Sequence, residues 1–242
     1  MEHNISNNSN KVDNNPFWKV KYLHILILLS IFAIISLLAT TGLIKNIDNS
    51  IFSYFMKLPR NAQSDIIIII ITTTSDTTNL IIIGFILTII KKTRPFGLIL
   101  LISIVAITIV ITYAKPLFAV AQSQFIFNPL VKLPDKFTLE KDSFMPFAQN
   151  YTYPSNHLAS TAAFSFIISG LIYNRFPNIA KSFIIFFPIL IGITKLYLLQ
   201  QFVSDILGGY ILGLIISILI IKATKINRKE GKEEEKHEEK KN

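Results

Sequence analysis

Long apolar runs alternate with short polar stretches along most of this chain. The hydrocarbon core of a bilayer is about 30 Å thick, so a spanning helix needs about 20 mostly apolar residues. Six runs reach or approach that length, which predicts an all-α integral membrane bundle of six helices. These runs cover about residues 20–44, 66–90, 96–113, 157–173, 182–199 and 203–221.

Polar segments flank the predicted membrane domain, which covers residues 20–222. Residues 1–19 are rich in asparagine and predict a disordered tail, and the mixed-charge segment 223–242 predicts a second one. The first apolar run is too long, and begins too late, for a cleaved signal peptide. The amphipathic stretch after it, residues 45–65, is predicted to lie in the membrane interface.

The second apolar run is interrupted by the polar sequence TTTSDTTN, which contains Asp76. Polar groups at membrane depth need internal partners or water. Asp76 therefore either caps a helix at a break in this span or faces a wet cavity. Capping is the simpler interpretation.

The net charge of +9 lies in loops and tails, where it indicates orientation rather than nucleic-acid binding. Lys91 and Lys92 follow the second run, and Arg175 and Lys181 lie between the fourth and fifth. Short loops rich in lysine and arginine face the cytoplasm. Six spans then place both termini in the cytoplasm and the long loop 115–156 on the outer face.

The composition narrows the chemistry and the source. The chain has no cysteine, which excludes disulfides and thiolate chemistry. Heavy use of lysine, isoleucine and asparagine with little arginine is typical of AT-rich bacterial genomes, so we expect a bacterial plasma membrane. We expect neither a metal nor another cofactor.

The predicted topology collects a small set of polar side chains at the outer membrane face. They are Lys115, Ser155, Asn156, His157, Thr194, Lys195, Gln201 and Asp205. Ser155 or Asn156 at a helix N-cap leaves backbone N–H groups pointing outward, and the helix dipole adds partial positive charge there. With two lysines nearby, the cluster favours an anion, and its apolar surroundings suit a lipid-borne phosphate.

Each of these residues also has a simpler explanation. A histidine at a helix start is most often a capping or interfacial residue, and Lys115 and Lys195 could extend to the interface. Asp205, beside an apolar run, needs a partner, which Lys195 or Gln201 could supply. Gln201 and Asp205 are four residues apart and share a helix face if the last span begins early enough.

The order of these residues resembles the type 2 phosphatidic acid phosphatase superfamily, the lipid phosphate phosphatases. YPSNHLASTAAF resembles the family's second motif, P-S-G-H, and GITKLYLLQQFVSDILGGYILG resembles the third, S-R-x₅-H-x₃-D. The likeness covers about residues 20–221 and implies a six-helix fold with a phosphate site. In that family the third-motif histidine attacks phosphorus, an aspartate orients it, and the second-motif histidine protonates the leaving group.

The resemblance implies a role for each matching position. Lys115, Ser155, Asn156, Thr194 and Lys195 occupy phosphate-binding positions, although the family has glycine, serine and arginine at the last three. His157 takes the general-acid position and Asp205 the orienting position. The arginine and proline of the first motif fall on Gln122 and Ser123.

The nucleophile position is Gln201, and an amide is not a usable nucleophile toward phosphorus. The first expectation is therefore a membrane protein that engages a lipid phosphate or polyprenyl diphosphate, without turnover by the phosphohistidine route. A second is an active phosphatase with altered chemistry that uses His157. A third is a non-catalytic membrane interaction protein with a vestigial site.

Overall fold

The computed structural model describes residues 20–122, 127–134 and 137–239, with side chains of the last helix described as far as Thr224. The predicted disordered tail 1–19 lies outside the described residues. The described part of the chain forms eight α-helices. They are α1 (Tyr22–Thr40), α2 (Lys45–Met56), α3 (Ala62–Thr73), α4 (Thr77–Ile89), α5 (Arg94–Phe118), α6 (Asn156–Ile172), α7 (Pro177–Tyr197) and α8 (Val203–Glu239).

Four of these helices, α1, α5, α7 and the apolar part of α8, are long and apolar enough to cross a membrane. A fifth span is formed if α3 and α4, which meet at an angle of 48°, are counted together. The remaining predicted span, the fourth along the chain, corresponds to α6, which has 17 residues and is shorter than a typical span. The chain is therefore an all-α, multi-pass membrane protein, and the count of six remains a prediction.

Apolar side chains cover the outside of the bundle as well as its interior. Ile67, Phe85, Val105 and Phe186 are each more than half exposed although they lie within apolar helices. Such surface is unfavourable in water and favourable in lipid, because lipid tails replace the missing protein contacts. The outward faces of these helices are thus suited to contact lipid.

Helix α6 occupies the centre of the bundle, with most of its side chains buried. It packs against α5, α7 and α8. The approach of α8 is close because Gly209 lies against the carbonyl of Ser155 and Gly213 lies against the carbonyl of Ala159. A Cβ at either glycine would collide with backbone, so these two residues set the separation of the two helices.

Two helices run further than the sequence predicts. Helix α5 continues past Tyr113 to Phe118, which places Lys115 inside its last turn. Helix α8 continues to Glu239, so the prediction of an irregular tail after residue 222 is wrong in its described part. The residues after Ile221 are good helix formers, and they extend an existing helix without a new nucleation step.

The break between α3 and α4 does not have the capping geometry that the sequence favours. Asp76 stands at the N-cap position of α4, but its side chain makes no capping hydrogen bond. The capping interpretation is therefore wrong. The Asp76 Oδ1 instead lies 3.8 Å from Nε2 of His157, at the start of α6.

Candidate functional site

The start of α6 is shaped as an anion-binding site. Ser155 is its N-cap residue, and the Ser155 hydroxyl accepts a hydrogen bond from the backbone N–H of Leu158 (3.2 Å). The Ser155 N–H donates to the carbonyl of Asp205 (3.1 Å), which anchors this turn to α8. The N–H groups of Asn156 and His157 remain directed outward, where the helix dipole favours negative charge.

A carboxylate from the long loop between α5 and α6, which is predicted to be the outer loop, lies on these donors and belongs to Asp142. Its Oδ1 accepts from the His157 N–H (3.0 Å) and the Ser155 hydroxyl (3.3 Å), and its Oδ2 accepts from the Asn156 N–H (3.2 Å). The His157 Nδ1 lies 2.7 Å from Oδ1. The predicted phosphate position is thus occupied by an acidic side chain of the same protein.

Lys115 completes this group of donors. Its Nζ lies 2.7 Å from Asp142 Oδ2 and also donates to the carbonyl of Tyr151 (3.1 Å), and the side chain is only 1% exposed. Lys115 is therefore brought beside the start of α6. The Arg94–Pro95 pair is not a substitute for the missing motif arginine, because Arg94 begins the same helix about 32 Å away along its axis.

His157 lies between carboxylates on both sides of its ring. Its Nε2 lies 3.4 Å from Glu140 Oε2 and 3.8 Å from Asp76 Oδ1, opposite the Nδ1 that faces Asp142. Burial raises the pKa of Glu140, but the hydrogen bond and charge of His157 outweigh it, so the pKa lies below its ordinary value. Burial of Asp142 is likewise outweighed by the charge of Lys115, and its pKa is strongly lowered.

Asp205 reaches a different partner from those expected. Its Oδ2 accepts from the Thr152 hydroxyl (2.7 Å) and from the backbone N–H of Phe202 (2.7 Å). The expectation of Lys195 or Gln201 as its partner is therefore wrong. Helix α8 begins only at Val203, so Gln201 precedes it and the expected shared helix face does not form.

The residues that match the third motif lie in different environments. Thr194 donates to the Thr72 hydroxyl (3.1 Å) and to a carbonyl of its own helix, so it lies against α3 rather than in the anion site. Lys195 is buried and donates to the Gln200 side chain (3.2 Å), and its charge acts on Asp76, Glu140 and Asp142. The Gln201 amide is buried without a hydrogen-bond partner among the described residues.

A cavity of about 290 Å³ opens beside this cluster. Gln201 lines it together with Lys115, Glu140 and Asp142, and so does Gln122, the position of the missing first-motif arginine. Ser123, the position of the motif proline, lies outside the described residues. The nucleophile position therefore faces a polar cavity although it carries no imidazole.

One group of side chains has the composition of a metal site. Single ligand atoms of Asp76, Glu140 and His157 lie within 4.8 Å of one another. The buried ammonium of Lys195 already acts on both carboxylates, and the N–H of Thr77 donates to Glu140 (2.6 Å). These contacts compensate the two carboxylates within the protein, so the group fits an ion-pair network better than a site that requires a cation.

The sequence did not reveal Asp142 or Glu140. Both lie in the long outer loop, in the sequence LEKDSF, where a charged residue ordinarily indicates solvent exposure. Their spacing of two residues is the only local signal, because alternate residues of an extended segment point the same way. That signal does not tell which of the acidic residues in the loop enters the bundle.

Comparisons with known proteins agree with this architecture. A curated relative, phosphatidylglycerophosphatase B of Bacillus subtilis (strain 168), is 31% identical over 77 residues, which cover 29% of this chain and 38% of the relative. The chain thus matches well under half of that relative. The crystal structure of the first transmembrane PAP2 type phosphatidylglycerolphosphate phosphatase from Bacillus subtilis covers 83% of this chain and 96% of its own. Its TM-score is 0.63 at 21% identity, a likeness of fold.

A sequence model of the PAP2 superfamily matches residues 96–229. That range includes α5 with Lys115, the start of α6, and the helices that carry Lys195 and Asp205. It covers more than half of the chain, and the fold agrees with it. The protein is therefore a member of the PAP2 superfamily.

Proposed function

We propose that this protein binds the phosphate group of a membrane lipid at the outer face of the bacterial plasma membrane, without turnover through a phosphohistidine. The observation that carries the proposal is the set of donors at the start of α6. Two backbone N–H groups, the Ser155 hydroxyl, His157 and Lys115 converge on one anionic group. The oxygens of a phosphate suit the same donors.

The position of the site favours a lipid-borne phosphate over a soluble one. Lys115 lies in the last turn of α5, and the cavity beside it is at the end of apolar helices. The relatives are named for phosphatidylglycerophosphate, which carries a terminal phosphate on a lipid. Phosphatidylglycerophosphate, phosphatidate and polyprenyl diphosphate are therefore the ligands to test first.

The absence of a nucleophile argues against ordinary turnover. The nucleophile position carries Gln201, and the other histidines of the described residues are His24, in the first turn of α1, and His237, near the far end of α8. Removal of a catalytic nucleophile costs several orders of magnitude in rate. Lys195, in place of arginine, also gives up bidentate binding of phosphate oxygens.

A second candidate is hydrolysis by water that His157 activates as a general base. The 2.7 Å contact between Asp142 and Nδ1 has the geometry of a carboxylate that orients a base. Against it, the opposite nitrogen faces Glu140 and Asp76 rather than an open position for water and substrate. Binding without turnover is therefore the better supported function.

The test uses the purified full chain in nanodiscs of phosphatidylcholine. Binding is measured for phosphatidylglycerophosphate and for phosphatidylglycerol, which lacks the terminal phosphate, and released phosphate is measured in parallel. We expect binding of the former alone, with no more than background release. Lys115→Met should weaken binding at least about tenfold, since one charged hydrogen bond contributes about 1.5–3 kcal/mol.

Lys132→Met is the matched control, because Lys132 is an exposed lysine of the loop that follows α5 and does not line the cavity. Steady phosphate release that His157→Ala abolishes would contradict the proposal and establish the second candidate. Absence of binding to phosphatidylglycerophosphate, and then to phosphatidate and polyprenyl diphosphate in the same assay, would leave a non-catalytic interaction protein with a vestigial site.

A further inference from the structure

We propose that Asp142 is a built-in competitor for the phosphate site, carried on a strap that must withdraw before a lipid phosphate can bind. The strap is residues 140–142 of the outer loop. This inference rests on the proposed function, since it concerns the regulation of that same site. If the strap must withdraw before a lipid phosphate binds, the described structure is the closed state of the protein.

The contacts of Asp142 leave no donor free for a second anion. Oδ1 accepts from the Ser155 hydroxyl and the His157 N–H and contacts the His157 ring. Oδ2 accepts from the Asn156 N–H and from Lys115. All the donors that the proposal assigns to phosphate at the start of α6 are among them. A phosphate and the Asp142 carboxylate therefore exclude each other.

The strap binds two helix starts at once. Glu140 Oε2 accepts from the N–H of Thr77, in the first turn of α4, while Asp142 accepts from the first N–H groups of α6. Each carboxylate thus supplies the negative charge that a helix N-terminus favours. Withdrawal of one short segment would expose both helix starts to the same side of the bundle.

Withdrawal also reverses the formal charge around His157. With the strap in place, two lysines, Lys115 and Lys195, face three carboxylates, those of Asp76, Glu140 and Asp142. The formal charges of these five side chains sum to one negative charge, and the imidazole is not counted. Without the two strap carboxylates the balance is one positive charge. The closed state thus repels a phosphate, and the open state attracts it.

Beyond its two carboxylates, the strap and the adjoining Ser143 make few hydrogen bonds among the described residues. Lys115 Nζ lies 3.4 Å from the Asp142 carbonyl oxygen, and the Ser143 hydroxyl is buried without a hydrogen-bond partner among the described residues. Lys141 contacts the exposed Gln149 side chain at 3.4 Å, near the limit of a hydrogen bond. The strap is therefore held mainly by the two carboxylates, one of which occupies the site that the ligand requires.

Competition predicts a definite change in affinity. A ligand that binds only the open state has its apparent affinity reduced by the fraction of molecules that are open. The Asp142 carboxylate makes five contacts with the donors of the site without leaving the chain, so we expect this fraction to be small. Asp142→Ala should therefore bind inorganic phosphate and phosphatidate at least about tenfold more tightly than the native chain.

The experiment titrates both probes against the native chain, Asp142→Ala and Asp142→Asn in phosphatidylcholine nanodiscs. Asp142→Asn preserves the side-chain shape without the charge and guards against misfolding of the alanine variant. Lys132→Ala, which replaces an exposed lysine of the same loop that does not line the cavity, is the matched control and should bind as the native chain does. A gain in affinity for phosphatidate alone would identify the ligand as lipid-borne.

A second measurement follows the strap itself. Because the chain has no cysteine, Ser143→Cys provides a single thiol at a position that is 5% exposed. Phosphatidate should accelerate its labelling by a water-soluble maleimide, and adding Asp142→Ala should accelerate labelling without any phosphate. Labelling that phosphatidate slows or leaves unchanged, although it binds, would overturn the proposal.

The outcomes separate the two proposals. If the native chain and both Asp142 variants bind phosphatidate with equal affinity, the competitor is disproved and the proposed function stands. If the Asp142 variants bind more weakly, Asp142 is part of the binding site and the inference is wrong. If none of the variants binds either probe, the proposed function fails and the inference fails with it.

Discussion

At the scale of single residues, the site is organised around His157 and the carboxylates on either side of its ring. Asp142 lies at Nδ1 and Glu140 at Nε2, and both belong to the outer loop. The charges of Lys115 and Lys195 balance them from the helices. Folding thus places charged loop residues where the sequence predicts an open phosphate site, and the state of the loop determines what the site can bind.

The lowered pKa values of Asp142 and Glu140 make stability depend on pH. A carboxyl group whose folded pKa is depressed stabilises the fold above its unfolded pKa, about 4, and this contribution is lost as pH falls toward the folded value. We therefore expect the melting temperature in detergent to fall between about pH 5 and pH 3. The check is thermal unfolding across that range.

The double variant Glu140→Gln, Asp142→Asn is the comparison for this pH series. Its two amides are neutral at every pH in the series and have no charge that acid could remove, so its decrease in melting temperature should be clearly smaller than that of the native chain. An equal decrease in the two proteins would show that other carboxyl groups govern the acid sensitivity.

Restoring an imidazole at the nucleophile position should not restore turnover. In Gln201→His the ring would face the cavity, but Asp205, at the orienting position, is already bound by Thr152 and Phe202. We expect phosphate release from phosphatidylglycerophosphate to stay at background. Robust release by this single variant would show that Asp205 can reorient toward the new imidazole.

At the scale of elements, the separation of α6 and α8 fixes the anion site. The turn that carries Ser155 is bonded to Asp205 of α8, and Gly209 and Gly213 allow the two backbones to meet just below it. Small residues commonly permit such close helix packing in membranes. The position of the helix start therefore depends on glycines that never touch the ligand.

Gly209→Ala and Gly213→Ala should each destabilise the protein by about 1–3 kcal/mol or more, because the added methyl meets backbone that cannot move aside. The measurement is thermal unfolding in detergent, with phosphatidate binding as a second readout. Gly192→Ala is the control, since its new Cβ would meet no backbone within 4 Å but side-chain carbons of Ile206, the nearest at 3.0 Å, and of Leu158. Equal effects of all three substitutions would contradict this account of the packing.

At the scale of the whole molecule, the distribution of basic residues predicts which side of the membrane the site faces. The basic residues Lys91 and Lys92 lie at the opposite end of α5 from Lys115. Basic loops remain on the cytoplasmic side of bacterial membranes. The anion site and its strap should therefore face outward.

Cysteine labelling tests this orientation without background, because the native chain contains no cysteine. Leu130→Cys introduces a thiol at a position of the outer loop that is 60% exposed, and Lys92→Cys introduces one at the opposite end. In intact spheroplasts an impermeant maleimide should label the former and not the latter. The reverse pattern would place the site in the cytoplasm.

Much of the architecture follows from the sequence because it depends on local patterns. The apolar runs predict the spanning helices, since only internally hydrogen-bonded segments of that length are stable in lipid. The motif around Ser155 and His157 predicts a helix start, and the structure confirms Ser155 as the N-cap. The family resemblance is confirmed by the match over residues 96–229. Helix ends were less predictable, as α5 and α8 show, because good helix formers continue a helix beyond its apolar part.

Tertiary structure alone decided what occupies the site. Asp142 lies 27 residues after Lys115 and 15 residues before His157, and no local pattern distinguishes it from the other charged residues of its loop. The same holds for Asp205, whose partner Thr152 is 53 positions away. Local apolar patterns predict which segments lie in lipid. Which loop carboxylate pairs with the site depends instead on where the folded helices place the N–H groups of their first turns. The sequence by itself therefore determined a membrane bundle with a place for an anion, and only the fold determined that the protein supplies an anion of its own.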